Sequence, residues 1–507
     1  MIAPLRAQLP DFAGRPLTLP DAASAWERVG PGGAGRDVLL LGLGPGDPQK
    51  LPFVRAARER GSTIFWVEEP RTLRLLHPAG MDAPGWRELT PGEAASHPAA
   101  DTYLYRPALR LAPDFWGPLA GRIEARSLAP VPGRPPVVWL PGDESRLLHR
   151  ELREALEESG FMTVSSPAPR DAAALSQAWG GRVPAFALSL NMRGLDADGR
   201  IFHACRALGV PVALWFVDNP WHVLSAARLP WWQEAQLFVT DASFVPGLAA
   251  AGARSVHPLP LAVAPHMWRP LPDAAETGRL ARLAPRFVGR AAFPDRERFF
   301  AAARVPGNLL ARALALTDEN PEPARQANFH WWAERLRVRP WPGHEVRGAG
   351  LGAERCAQAN RVRWIAAGLP LGLAVTGDGL WRELVPGCEP EAPVDYYGRL
   401  PGLYREASAV LNVTSLLIPQ SLSQRHFDVW AAGGLLLSDA TRGLGIFPDE
   451  LTRPITLISR EGFGPRLAEL AANPQRSRDL REAWREHLRA SHTYAHRLAF
   501  IREKIGA

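Results

Sequence analysis

The sequence predicts an α/β protein built on parallel sheets, and three alternating strand–helix series predict it. Residues 37–70 read as strand, glycine-rich turn, helix and strand, and residues 136–265 and 285–460 alternate short apolar runs with helical patterns. Such alternation places helices on both faces of a parallel sheet. A proline-rich stretch at 129–136 and a loop-rich junction around 266–284 separate the series. The expected division is 1–130, an N-terminal Rossmann-like accessory segment, then 136–270 and 280–507, two Rossmann-like domains facing a cleft. A chain of 507 residues has material for two or three substantial cores.

Residues 1–35 are rich in Pro and Gly and read as a loosely packed lead-in. DVLLLGLGPGDPQ then gives a buried strand and turn, PFVRAARERG a helix, and STIFWVEEP a second strand. The run Gly42-Leu43-Gly44-Pro45-Gly46, with Glu68 and Glu69 ending the next strand, has the spacing of a nucleotide-binding turn. It is similar to the turn of S-adenosylmethionine methyltransferases or a dinucleotide fingerprint. Leu41, where the methyltransferase pattern has an acid, and Pro45, which lacks an N–H for phosphate, favour a plain tight turn instead. Asp101 to Arg106 adds a strand. The second series opens with VVWLPGDES and the helix RLLHRELREALEESG, then supplies the strands MTVSS, AFALSLN, PVALWFVD, QLFVT and SVHPLP. The third starts at RFVG, and 463–505 reads as helical.

Bulk properties exclude several classes. No run of about 18 apolar residues is present, so no membrane span is expected, and peripheral association with a membrane stays open. The N-terminus has no apolar core of signal-peptide length, and Cys205, Cys356 and Cys388 are too scattered for a disulfide framework or zinc site. A cytoplasmic location is the expectation. The net charge is +7, but Lys50 and Lys504 are the only lysines and the arginines are dispersed, so nucleic acid is not an expected partner.

The segment 396–439 carries the most chemistry. The apolar run Ala409 to Val413 leads into a polar loop, Thr414 to Ser423. A helical pattern follows with Arg425, Phe427, Asp428 and Trp430, and after Gly433-Gly434 a second apolar strand ends at Asp439. Ligands of open α/β sheets collect at the carboxyl edge of the strands, where a helix N-terminus offers N–H groups to phosphate. Arg425 adds a cation there, and Asp428, one turn on, is placed to accept hydrogen bonds from ribose hydroxyls. The arrangement suits a nucleoside diphosphate.

This segment resembles the donor-binding core of GT-B glycosyltransferases, specifically the CgeB-like (spore-maturation-type) group. ALWFVDNP (213–220), LFVTDASFVPGLAAAGARSVHPLPLAVAP (237–265), RFVGR (286–290), VTGDGLW (375–381), YYGRLP (396–401) and HTYAHRLAFI (492–501) follow in that group's order, covering roughly 136–505. The resemblance implies a GT-B fold whose terminal helix packs back toward the first domain. It also implies a nucleotide-diphosphate sugar as donor substrate, with no separate cofactor. Many related retaining enzymes hold donor sugar and ribose with two glutamates seven residues apart; Gln420 and Asp428 stand at those positions. Gln420 can bind a sugar hydroxyl but lacks the carboxylate's charge. Gly289 and Arg290 become donor contacts, with Ser423 and Arg425 at the helix start.

The remaining candidates line the expected cleft. Asp218, ending a buried strand, is placed to orient an acceptor or take its proton, although Asp-Asn-Pro is also a good strand exit. Asn219, His222, Gly377 and Asp378 fall beside it or at the end of a neighbouring strand. His330, Trp331, Trp332, Trp231 and Trp232 read more readily as packing than as sugar platforms. No Asp-x-Asp triplet lies at a strand end, so no metal is expected. The reading is a glycosyltransferase acting on an unknown acceptor. The alternatives are a non-catalytic sugar-nucleotide or glycan-binding protein on a GT-B scaffold, and a methyltransferase using 37–70.

Overall fold

The computed structural model describes residues 7–30, 37–78, 81–97, 100–126, 128, 135–143, 145–166, 169 and 172–506. Most of the proline-rich linker 129–136, and both ends of the lead-in 1–35, lie outside the described residues. The expected class, α/β with parallel sheets, is observed. A six-stranded all-parallel sheet (the first lobe) is assembled from Val137–Trp139, Met162–Val164, Phe186–Leu190, Val212–Phe216, Gln236–Val239 and Ser255–Pro258. A five-stranded all-parallel sheet (the second lobe) uses Arg286–Val288, Ala374–Thr376, Val410–Asn412, Leu436–Asp439 and Thr456–Leu457. Phe186–Leu190, Val212–Phe216 and Val410–Asn412 are buried at every position, as strands covered on both faces must be.

The lead-in is more ordered than its composition implies. Ala7–Pro10 and Pro16–Leu19 pair as a hairpin, and Trp26–Val29 joins the accessory sheet antiparallel to Asp101–Tyr105. Leu19 and Trp26 are buried, so apolar side chains between the glycines and prolines decide the outcome. The accessory sheet packs directly on the first lobe. Helix Pro113–Ala125 lies against Arg200–Ala207 so closely that a Cβ on Gly117 or Gly121 would strike His203. Arg200 ties the two together by pairing with Glu27 at 2.6 Å and with Glu124.

The glycine-rich turn is filled by protein. Gly42 and Gly44 adopt positive φ, and a Cβ on Gly44 would meet the Trp26 indole at 2.6 Å. A Cβ on Gly46 would meet the Asp21 carboxylate, the Gly44 carbonyl bonds His77 at 2.7 Å, and Glu68 accepts from the Leu43 N–H at 2.7 Å. The turn thus packs closely on Trp26, Asp21 and His77.

Two elements link the lobes. Helix Val346–Gly368 lies between the second-lobe strands in sequence, yet Val346, Ala349, Ala353 and Cys356 pack in the core shared with the first lobe, while Trp364 and Ile365 pack in the second. The terminal helix Tyr494–Ile505 returns to the first lobe, where Tyr494, Leu498 and Ile501 are buried against its strands. Among the described residues no helix is long and apolar enough to cross a membrane.

Candidate functional site

A cavity of about 400 Å³ opens between the lobes at the carboxyl ends of both parallel sheets, lined among others by Asp218, His222, Arg290, Glu354, Arg361 and Ser415. On the second-lobe side the strand Arg286–Val288 ends at Gly289. This glycine has no room for a side chain, because a Cβ would lie 2.7 Å from Arg425 Nη2. Arg425, the first residue of helix Arg425–Ala431, donates from Nε to the Val288 carbonyl (2.8 Å) and from Nη1 to Asn412 Oδ1 (3.0 Å), over the Phe287 ring. Ser423 Oγ donates to the same Asn412 oxygen at 2.8 Å. The guanidinium is packed into protein, which lowers its pKa. The charges that act on it are Tyr404 and Arg361, with no carboxylate among them. The guanidinium thus sits at a strand-to-helix junction beside a glycine, with no carboxylate acting on it among the described residues.

Arg290, exposed, projects along the cavity next to Gly289. Its loop is held by Asp378, whose Oδ2 accepts from the Ala291 N–H at 3.0 Å, while the buried Oδ1 has no partner among the described residues. Gly377 permits close approach: a Cβ there would lie 2.3 Å from the Gly289 carbonyl, which accepts from Trp381 Nε1 at 2.9 Å. Arg361 adds a third cation, donating to the Ala291 carbonyl and to Glu354 Oε1 (3.1 and 3.2 Å). Gly289, Arg290, Gly377, Asp378, Ser423 and Arg425 thus lie near one another at the carboxyl edge of the second-lobe sheet.

On the first-lobe side, Asp218 faces this arginine-rich wall. Its Oδ2 accepts from Asn191 Nδ2 at 2.8 Å, and Asn191 Oδ1 accepts from the Val217 N–H at 3.0 Å, so the carboxylate is aimed from the end of the adjacent strand. Asn191 and Met192 both take positive φ, a conformation unusual for Met and concentrated at functional sites. Asp218 reaches solvent, yet the surrounding protein raises its pKa, opposed by the Asn191 bond and Arg193. Asn219 lines the same cavity, and its amide is engaged by protein. It caps helix Pro220–Leu224 through the Trp221 and His222 N–H groups and donates to the Leu417 carbonyl across the cleft at 2.9 Å. His222 lines the cavity among Phe299, Phe300 and Phe329; burial lowers its pKa to about 3, so it is a neutral imidazole, with Nε2 unpartnered.

Two expectations are corrected. Asp428 does not open on the cleft: it is 0 % exposed. Oδ1 accepts from the Ala264 N–H and Gln424 Nε2, both at 3.1 Å, and Oδ2 from Tyr396 Oη at 2.7 Å. The helix has only seven residues and its buried face turns the acid onto the connection between the lobes, so ribose is replaced by protein donors. The loop Thr414–Ser423 is likewise not free. Leu416, Leu417 and Ile418 insert into the first-lobe core, and the Gln420 N–H donates to Asp241 Oδ2 at 2.8 Å.

Asn191, Asn412, Glu354 and Arg361 were not singled out from the sequence. Glu354 and Arg361 are seven apart on a long helix, a spacing that reads as a solvated charged face. Asn412 sits inside an apolar run, and a polar residue there was the available signal.

Residues 355–503 match the family model described as Glycosyl transferase-like. Comparison with curated protein sequences finds no match. Among solved structures the chain is similar to a spinosyn rhamnosyltransferase, SpnG, complexed with thymidine diphosphate. Identity is 13%, coverage 72% of this chain and 100% of that one, and the TM-score 0.31. It is also similar to a trehalose-6-phosphate protein from E. coli bound with UDP-2-fluoro glucose, with 11% identity, 93% and 99% coverage and a TM-score of 0.33.

Arg425→Met is expected to lower affinity for a nucleoside diphosphate about ten- to a hundred-fold, the worth of a charge-assisted hydrogen bond. Removing the guanidinium also takes the Nε donor from the Val288 carbonyl, so some loss of stability is expected beside the loss of affinity. Calorimetry with UDP, beside a melting curve, checks both; unchanged binding would remove Arg425 from the site.

Proposed function

We propose that this protein transfers a glycosyl group from a nucleotide-diphosphate sugar to an acceptor hydroxyl, as a metal-independent glycosyltransferase of the GT-B class and its CgeB-like group. The observation that carries the reading is the interlobe cavity, with Arg425, Arg290 and Arg361 near one wall and Asp218 on the other. The match over 355–503 supports the same class.

In this reading the diphosphate lies along Gly289 and Arg290 toward Arg425, the sugar faces the cavity, and the acceptor enters from Asp218. The bond from the anomeric carbon to the diphosphate oxygen breaks while that carbon bonds the acceptor oxygen. The electron pair leaves on the diphosphate, where fixed cations stabilise it, and the acceptor proton passes to Asp218.

The test is release of nucleoside diphosphate from a panel of nucleotide sugars by purified protein, with and without EDTA. Turnover of one donor, unaltered by EDTA, is the expected result. Tight binding without turnover, with acceptors supplied, would favour the binding-protein reading, and loss of turnover in EDTA would overturn metal independence.

A further inference from the structure

A second cavity, of about 300 Å³, lies on the opposite edge of the second-lobe sheet. Pro285, Ala409 and Leu435, which border it, each immediately precede a parallel strand, so it sits below the amino ends of the strands whose carboxyl ends form the cleft. Helices Ala274–Leu280, Phe463–Ala472 and Pro474–Ser491 roof it. The lining is mostly apolar, and Leu283 and Leu371 at its rim are among the few large apolar side chains left exposed, at 38 % and 42 %.

Among the described residues, the one charged group lining this space is Arg481, itself only 2 % exposed. Its Nη1 donates to the Ser477 carbonyl at 3.2 Å, within its own helix, and its buried Nε has no partner among the described residues. Burial lowers its pKa to about 10, and no carboxylate of the described residues acts on it. An ionised guanidinium without a counter-ion in an apolar pocket is costly unless an anion joins it. A planar fork of donors matches one carboxylate. The volume is at the lower end of small-molecule sites.

We infer that this pocket binds a small amphipathic monoanion, an aliphatic carboxylate whose head pairs with Arg481 and whose chain lies against Leu283, Leu371 and Leu467. The site is separate from the cleft and independent of the glycosyltransferase reading. The anionic head supplies the counter-ion that the Arg481 guanidinium lacks among the described residues, and the chain covers the exposed leucines.

The experiment is calorimetric and thermal-shift titration of the full chain with octanoate and with octanol, its uncharged counterpart. Octanoate is expected to bind about tenfold tighter or more, from the charge-assisted pair. Arg481→Met should abolish that preference, and Ala468→Phe, on the cavity-facing side of helix Phe463–Ala472, should block both ligands while leaving the melting temperature of the free protein near wild type. Should Arg481→Met not fold, the octanoate-to-octanol ratio in wild type and the Ala468→Phe result decide the matter. Equal affinities, no binding of either, or octanoate binding that survives either variant would overturn the proposal.

Discussion

Asp218→Asn is expected to cut the rate of nucleoside diphosphate release about 10²- to 10⁴-fold, the usual contribution of a positioned general base, while leaving donor affinity near wild type. The carboxylate is aimed by Asn191, faces Arg290 across the cavity, and keeps access to solvent. Asparagine keeps the shape and can still accept from Asn191, so the strand end should not move. The pH profile separates catalysis from structure. Burial raises the Asp218 pKa, and a base works only when deprotonated, so the wild-type rate should fall toward acid pH through a carboxylate pKa above the ordinary aspartate value. Asp218→Asn should lose that acid limb together with the rate. An unchanged rate constant with the limb intact would return Asp218 to the role of a strand exit.

The sheets were legible because both parallel sheets consist of short, fully buried apolar runs. Phe186–Leu190, Val212–Phe216 and Leu436–Asp439 fall within the runs read from the sequence. The turn residues were legible for the same local reason: Asn219 and Pro220 start a helix and Gly433, with positive φ, ends one. Side-chain direction on a short helix was not legible. Arg425 and Asp428 lie one turn apart on a seven-residue helix, yet one reaches Gly289 and the other points into the join between the lobes. Which way such a helix rolls is decided by what packs on it. Here Trp430 stacks on Trp484 of helix Pro474–Ser491, far along the chain. The helices beyond Arg286–Val288 were misplaced for a related reason. Sequence order assigns them to the second lobe, whereas the buried Phe329, Trp332 and Val346 join the first-lobe core.

That packing changes what the join between the lobes does. Asn219 to Leu417, Asp241 to Gln420 and Asp428 to Ala264 each cross from one lobe, or its outgoing strand, to the other. Tyr397 adds a fourth crossing by donating to Glu151 at 3.0 Å. The cavity walls therefore have a defined separation, which a site that must bring Asp218 opposite Arg290 requires.

Asp428 is the residue on which this join should depend most, and Asp428→Ala is expected to destabilise the fold by about 3–5 kcal/mol. Removing the carboxylate leaves the Ala264 N–H and Tyr396 Oη without their acceptor, while Gln424 Nε2 keeps the Ala262 carbonyl at 2.7 Å; each buried donor left unmet costs about 1–3 kcal/mol. Asp428→Asn keeps one carbonyl acceptor and should cost less. The charge itself works against the fold. Burial pushes the Asp428 pKa up to about 7, despite bonds from Ala264, Tyr396 and Gln424 that oppose the rise. The folded protein therefore holds a proton that the unfolded chain, titrating near 4, has released, and stability falls as pH rises from about 4 to about 7. Glu151, Glu68 and Asp439, also raised by burial, add to that slope. Asp428→Asn should remove one share of it, so that the wild-type and variant melting temperatures converge toward pH 7 and separate in favour of wild type toward pH 4. Melting curves across that range, with UDP affinity measured on the folded fraction, distinguish the roles. Loss of UDP affinity in a variant with unaltered stability would put Asp428 back on the ribose.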